Sequence, residues 1–270
     1  MIVSLLLCCI GFKRFVWFMS VGYGLSVAGI GVALLVMSIV RGQSSLIYAV
    51  QCIVMAAYGI RLGGFVLVRE RKNANYRAKL EEVGGNAKVP VFAEVFIWLY
   101  CGFLYIMQSA GPVYRLLNGF STAPNAAAWI GTLISICGAV MEGLADKQKS
   151  AQKKTNPNMP AMEGLFRLCR CPNYFGEMLF WTGSLVSGIG ALQGAQWIAA
   201  LIGWCVIIAV MLSGAKRMET RHIRHYGNDS IYNEYADHTP LLIPFVPLYH
   251  MTTPEKVARD DAAKAAQKKK

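Results

Sequence analysis

This sequence is poor in charge. Asp, Glu, Lys and Arg make up only 16% of its residues, and no acidic side chain precedes Glu70. A soluble domain usually carries about 25% charged residues, so a fold surrounded by water is disfavoured from the start. Several chemical signatures are also missing. The eight cysteines include no Cys-x-x-Cys pair and form no Cys/His cluster, which argues against a zinc site or a disulfide framework. No Gly-x-Gly-x-x-Gly follows a strand-like run, so a Rossmann cofactor site is excluded in practice. There is no His-Glu-x-x-His and no Ser/His/Asp nucleophile pattern. The N-terminal apolar run precedes Lys13-Arg14, the reverse of a secretory signal peptide.

What the sequence does contain is apolar length. Hydrophobic residues make up 55% of it, arranged in runs long enough to cross the hydrocarbon core of a bilayer. The runs predict spans at 15–40, 44–68, 91–108, 126–144, 175–192 and 195–214, with residues 2–12 too short to span and read as an interfacial start. The expected fold is an all-α polytopic transmembrane bundle of about six spans, or seven. Its segments are an N-terminal membrane segment (1–44), a membrane domain (45–250) and a disordered basic tail (251–270).

The formal charge of +12 comes from Lys and Arg residues gathered in alternating connections. Of the 27, all but Arg41, Arg61 and Arg115 lie in 1–14, 69–90, 147–172 or 216–270. The positive-inside rule then predicts both termini, the two large loops and a long C-terminal segment on the cytoplasmic side. The setting is either a bacterial inner membrane or the endoplasmic reticulum. This distribution points to a bilayer rather than to nucleic acid. The polar, proline-containing loop 147–163 reads as a flexible connection.

Ionisable residues within or at the edge of spans are costly and mark candidate sites. Glu94, Glu142, Asp146 and Glu177 qualify; for Glu94 a packing or interfacial role is the simpler reading. Glu142 and Asp146 are four apart and share a helix face, as do Asn173 and Glu177. Both pairs are expected at the same depth on the cytoplasmic side, next to the segment SGAKRMETRHIRHYGNDSIYNEYADHTPLLIPF. If that segment is helical, Arg217, Arg221 and either Arg224 or His225 share a face, followed by Tyr226, Tyr232 and Tyr235. Arginines for phosphate and tyrosines for ring stacking suit a phosphorylated, ring-containing ligand; a solvated amphipathic helix is the plain alternative.

The stretch GLFRLCRCPNYFGEMLFWTG, then RxxxRHxxxYGxxxxYxxYxxxTPLLIPF, resembles the steroid 5α-reductase superfamily, in particular its bacterial-type branch known as domain of unknown function 1295. YGIRLGGFVLVRERK, the QSAGP stretch and EGLADKQKSAQKK agree with it, and the resemblance covers about residues 45–250. It implies a membrane oxidoreductase acting on CH–CH groups. Such an enzyme uses NADPH to reduce a carbon–carbon double bond conjugated to a ketone in a steroid- or polyprenoid-like lipid. It also implies roles. Asn173, Tyr174 and Glu177 would meet the cofactor, as would Glu142 and Asp146. Lys153 or Lys154 would meet its phosphate. Arg217, Arg221, His222 and Tyr226 would close over it. Tyr58 would donate to the substrate carbonyl, with Arg61 one turn away to lower its pKa or orient it. No metal is implied.

The sequence departs from the steroid enzymes in one respect. They place a Glu in an early span as partner of the Tyr, whereas here the first acid is Glu70. Two further readings stay open. Isoprenylcysteine carboxyl methyltransferases share the Arg-x-Pro-x-Tyr and Ile-Pro-Phe elements and bind S-adenosylmethionine, but they carry His where this chain has Cys171. The other reading is a non-catalytic lipid-binding protein.

Overall fold

The computed structural model describes residues 1–72, 89–123 and 125–267. The basic loop 69–90 therefore lies largely outside the described residues, as do the last three lysines. Among the described residues there are ten α-helices and no strand. They are α1 (Ile2–Cys8), α2 (Val21–Val40), α3 (Leu46–Lys72), α4 (Val91–Gln108), α5 (Ala110–Leu117), α6 (Ala126–Thr155), α7 (Pro172–Ser187), α8 (Gln196–Tyr226), α9 (Ser230–His238) and α10 (Pro254–Gln267). The chain divides into two compact units, Met1–Ile136 with Trp181–Val206, and Cys137–Phe180 with Ile207–Lys270.

Among the described residues five segments are long and apolar enough to cross a membrane: Phe15–Val40, Leu46–Arg71, Val91–Gln108, Ala126–Thr155 and Gln196–Tyr226. The expected span at 175–192 is realised as α7, a helix of 16 residues. At 1.5 Å per residue α7 rises about 24 Å, less than the about 30 Å of a hydrocarbon core. It stops at Ser187 because Gly190 turns the chain with φ +80°.

In the first unit α2 and α3 run antiparallel and almost backbone to backbone. A Cβ on Gly24 would lie 2.7 Å from Gly63 Cα, and one on Gly31 would lie 2.7 Å from the Cys52 carbonyl. Lipid gives helices no hydrophobic reason to associate, so such close packing of small residues is what holds them. Residues 2–13 form α1 and a following 3-10 turn, and α1 packs within the unit rather than standing apart as an interfacial start. Ser4 donates to the Gly102 carbonyl at 3.0 Å, Ser26 to the Ser4 carbonyl at 3.1 Å, and Trp98 Nε1 to the Leu5 carbonyl at 2.8 Å. Glu70 takes Arg14 as an ion-pair partner and accepts from Trp17 Nε1 at 2.8 Å. Val32, Val36, Ile39, Ile198, Leu201 and Ile202 are exposed, the apolar exterior of a helix meant for lipid.

Arg115 is almost wholly buried in this unit. It donates to the carbonyls of Ser187, Ile189 and Phe120 and to Asn125 Oδ1. Those carbonyls include the last of α7, where helix C-termini lack intrahelical donors and a cation is favoured. One of the few cations outside the basic stretches is thus a helix cap.

In the second unit α6 continues to Thr155, and the segment expected to be a flexible connection is pinned to it. Gln152 accepts from Met162 N and Glu163 N at 2.9 and 3.0 Å, and Gln148 accepts from Leu165 N at 2.9 Å. Ala161 and Phe166 pack on Ala145. Two glutamines one turn apart supply the acceptors that the loop's amides need. The tail expected to be disordered is helical from Pro254 to Gln267, tethered by a bidentate Arg224–Asp261 pair at 2.8 and 2.5 Å.

Candidate functional site

The second unit collects every residue expected to meet a cofactor. The site starts where α6 and α7 cross. A Cβ on Gly176 would lie 2.7 Å from the Glu142 amide nitrogen and 2.8 Å from the Gly138 carbonyl, so only glycine permits this approach. It sets the buried carboxylate of Glu142 (4% exposed) on α6 opposite the first turns of α7, which carry Asn173, half-buried, and Glu177 (8% exposed). Asp146, one turn along from Glu142, is half-buried. Two buried acids on facing helices are expensive unless compensated.

Cations are gathered in the same unit from α6, α8 and the loop before α7. The Tyr174 ring lies against Gly214 of α8, with the Arg217 guanidinium beside it. Arg217, Arg221 and Glu177 all act electrostatically on Tyr174. Arg217 also donates to Ser213 at 2.7 Å, and Arg221 is exposed. Lys153 donates to the Tyr226 hydroxyl at 2.8 Å and to the Pro157 carbonyl at 3.0 Å, and its ammonium lies 5.3 Å from the Tyr226 ring centre. Of the two candidate lysines, Lys153 is the one engaged, and Lys154 is exposed. His222, Tyr226 and Tyr232 form an aromatic cluster with centroids 5.5 to 5.9 Å apart, His222 edge-to-face with both tyrosines. Lys149, Lys153, Arg170 and Arg221 all act on His222.

Two residues central to this arrangement were not singled out from sequence. Arg170 and Glu219 form an ion pair at 3.0 Å with both side chains buried. Arg170 also donates to the Tyr249 carbonyl, and its amide to the Pro240 carbonyl at 2.8 Å. Its Nε and Nη1 are buried, and the equally buried Tyr232 hydroxyl sits beside the guanidinium as a hydrogen-bonding neighbour. Burial pushes the Tyr232 and Tyr235 hydroxyls up, against a downward pull from Arg170, so both are hydrogen-bond donors at neutral pH. Tyr235 uses its proton on the Phe166 carbonyl at 2.7 Å. A signal for Arg170 was present in its place immediately before the Cys-Pro-Asn-Tyr element. Glu219 had none, since an acid on a basic helix reads as surface.

Cys169 and Cys171 are buried, and burial pushes each thiol up to about 12. Protonated thiols are poor nucleophiles and poor ligands. Among the described residues no group of His, Cys, Asp and Glu could hold a metal ion.

Tyr58 and Arg61 belong to the first unit. Tyr58 is 2% exposed and packs edge-on to Trp181 at 6.5 Å. Trp181 in turn donates to the Tyr23 hydroxyl at 2.6 Å. The Arg61 guanidinium lies 5.6 Å from the Tyr58 ring centre, a cation–π arrangement. Arg61 is thus placed over the Tyr58 ring.

The fold and this site define a polytopic helical membrane protein whose second unit carries a polar cluster on parts of α6, α7 and α8. A family described as protein of unknown function, DUF1295, matches the chain over residues 12–239. The chain belongs to that family. No curated protein and no solved structure matches it.

Proposed function

We propose that the second unit binds NADPH and that the protein is a membrane reductase. Its substrate would be a lipid-soluble compound, steroid- or polyprenoid-like, with a carbon–carbon double bond conjugated to a ketone. The observation that carries the reading is the buried Arg170 guanidinium, whose Nε and Nη1 have the Tyr232 hydroxyl as their buried neighbour in addition to the Glu219 and Tyr249 contacts of Nη2. Lys149, Lys153 and Arg221 lie around the adjoining aromatic cluster. An anion rich in acceptor oxygens, such as a phosphate, pairs bidentately with arginine. The resemblance of the Cys-Pro-Asn-Tyr and Ile-Pro-Phe elements to the steroid 5α-reductases supports the same reading.

In this reading Arg170, Lys153 and Tyr226 hold phosphate, Tyr174 and His222 flank a ring, and Asn173, Glu142, Asp146 and Glu177 accept from hydroxyls and amides. NADPH, when bound, supplies the hydride for the β-carbon of the enone. Tyr58 donates a hydrogen bond to the substrate carbonyl, where negative charge develops, and Arg61 holds its ring. The charge asymmetry of the basic stretches supports a cytoplasmic position for this unit.

The discriminating experiment is a thermal-unfolding series on the detergent-purified protein with NADPH or S-adenosylmethionine. A ligand of the folded state raises stability by mass action. Stabilisation by NADPH alone is expected; stabilisation by S-adenosylmethionine alone would establish the methyltransferase reading instead. Oxidation of NADPH on addition of a membrane-lipid extract then tests the reductase step.

A further inference from the structure

The segment after the Ile-Pro-Phe turn returns across the second unit, and His250 holds it there. The His250 Nδ1 lies 3.2 Å from Glu219 Oε1 on α8, and its Nε2 lies 3.0 Å from Asp237 Oδ1 on α9. A neutral imidazole carries one N–H. Facing two carboxylates, it would turn a lone pair toward one of them. Only the imidazolium places a proton on both contacts. We propose that residues 249–267 form a proton-latched strap, closed when His250 is charged and loosened when it is neutral.

The surroundings of His250 are specific. α8 supplies Glu219, whose other oxygen accepts from the Met251 amide at 2.8 Å. α9 supplies Asp237. The loop before α7 supplies Arg170, which pairs with Glu219 and also receives the Tyr249 carbonyl. The imidazole is 42% exposed, so its proton exchanges freely with water. Beyond it, α10 is tied down by the Arg224–Asp261 pair, which is partly exposed on both sides and therefore screened by solvent and salt.

Histidine changes charge between about pH 5 and 8. When His250 is neutral, one of its two carboxylate contacts faces a lone pair and is lost, while the other keeps its N–H. The strap retains the Tyr249 carbonyl and Met251 amide bonds and the outer Arg224–Asp261 pair. The strap is independent of which ligand the unit binds.

The test is hydrogen exchange of the Met251–Gln267 amides in the detergent-solubilised full chain, corrected for intrinsic exchange, at pH 5.5 and pH 8. Protection in the wild type is expected to fall by about tenfold as pH rises, the scale of losing one charge-assisted hydrogen bond. His250→Gln should show the lower protection at both pH values. Asp237→Asn, at an exposed position, should keep the pH dependence at reduced amplitude. Equal wild-type protection at both pH values would overturn the proposal, as would an unchanged pH dependence in His250→Gln.

Discussion

Arg170 and Glu219 pair at 3.0 Å with both side chains removed from solvent. One stands just before α7 and the other lies midway along the second-unit part of α8. Their pair ties the Cys-Pro-Asn-Tyr start, α8 and the returning C-terminal segment to a single point.

Removing one member leaves the other charge buried and uncompensated. Glu219→Leu is expected to destabilise the protein by about 3–5 kcal/mol, read as a lower unfolding midpoint in detergent. The double variant Arg170→Met/Glu219→Leu should recover most of that loss while abolishing the NADPH-induced shift. A double variant as unstable as the single one would show that the pair adds stability beyond its own desolvation.

Lys153 reaches Tyr226 at 2.8 Å. Tyr226→Phe removes the acceptor and keeps the ring, so NADPH affinity should weaken only a few-fold, on the order of one hydrogen bond. Lys153→Met should weaken it more, and should reduce the salt dependence of binding. Lys154→Met, at an exposed position, should do neither. Titration of intrinsic fluorescence at two salt concentrations separates the three.

Glu177→Ala is expected to raise the Kd for NADPH. Tyr58→Phe should leave Kd unchanged and lower kcat, because its hydroxyl acts only where charge develops on the carbonyl oxygen. Full turnover in Tyr58→Phe on the natural substrate would remove Tyr58 from the chemistry.

Burial raises the Cys171 thiol from near 9 to about 12. The folded state therefore keeps the proton where the unfolded state has lost it. The stabilising contribution is complete below about pH 9 and declines as pH rises toward 12. The unfolding midpoint should drop between pH 8 and pH 10, and Cys171→Ala should lessen the drop. An equal drop in both proteins would place its origin elsewhere, with Tyr232 and Tyr235 the next groups to examine.

Much of this molecule is legible in its sequence because lipid simplifies the reading. A helix that crosses the hydrocarbon must satisfy its own backbone and carry about 20 apolar residues, so five spans announce themselves by composition. The pairs Glu142/Asp146 and Asn173/Glu177 were readable too, since four-residue spacing places side chains on one helix face whatever the tertiary contacts. Loops obey no such rule. The stretch 156–166 looks free until Gln148 and Gln152 supply acceptors for its amides, and α10 looks like a solvated tail until Asp261 meets Arg224.

Length, spans, charge asymmetry and the faces of individual helices were determined by the sequence alone, through local periodicity and the energetic cost of charge in lipid. The tertiary structure decided which faces meet. The glycine contact at Gly176 brings α6 to α7, the buried pair joins Arg170 to Glu219 across 49 residues, and His250 is set between two carboxylates. None of these is written in any window of sequence, because each depends on groups far apart in the chain being desolvated together.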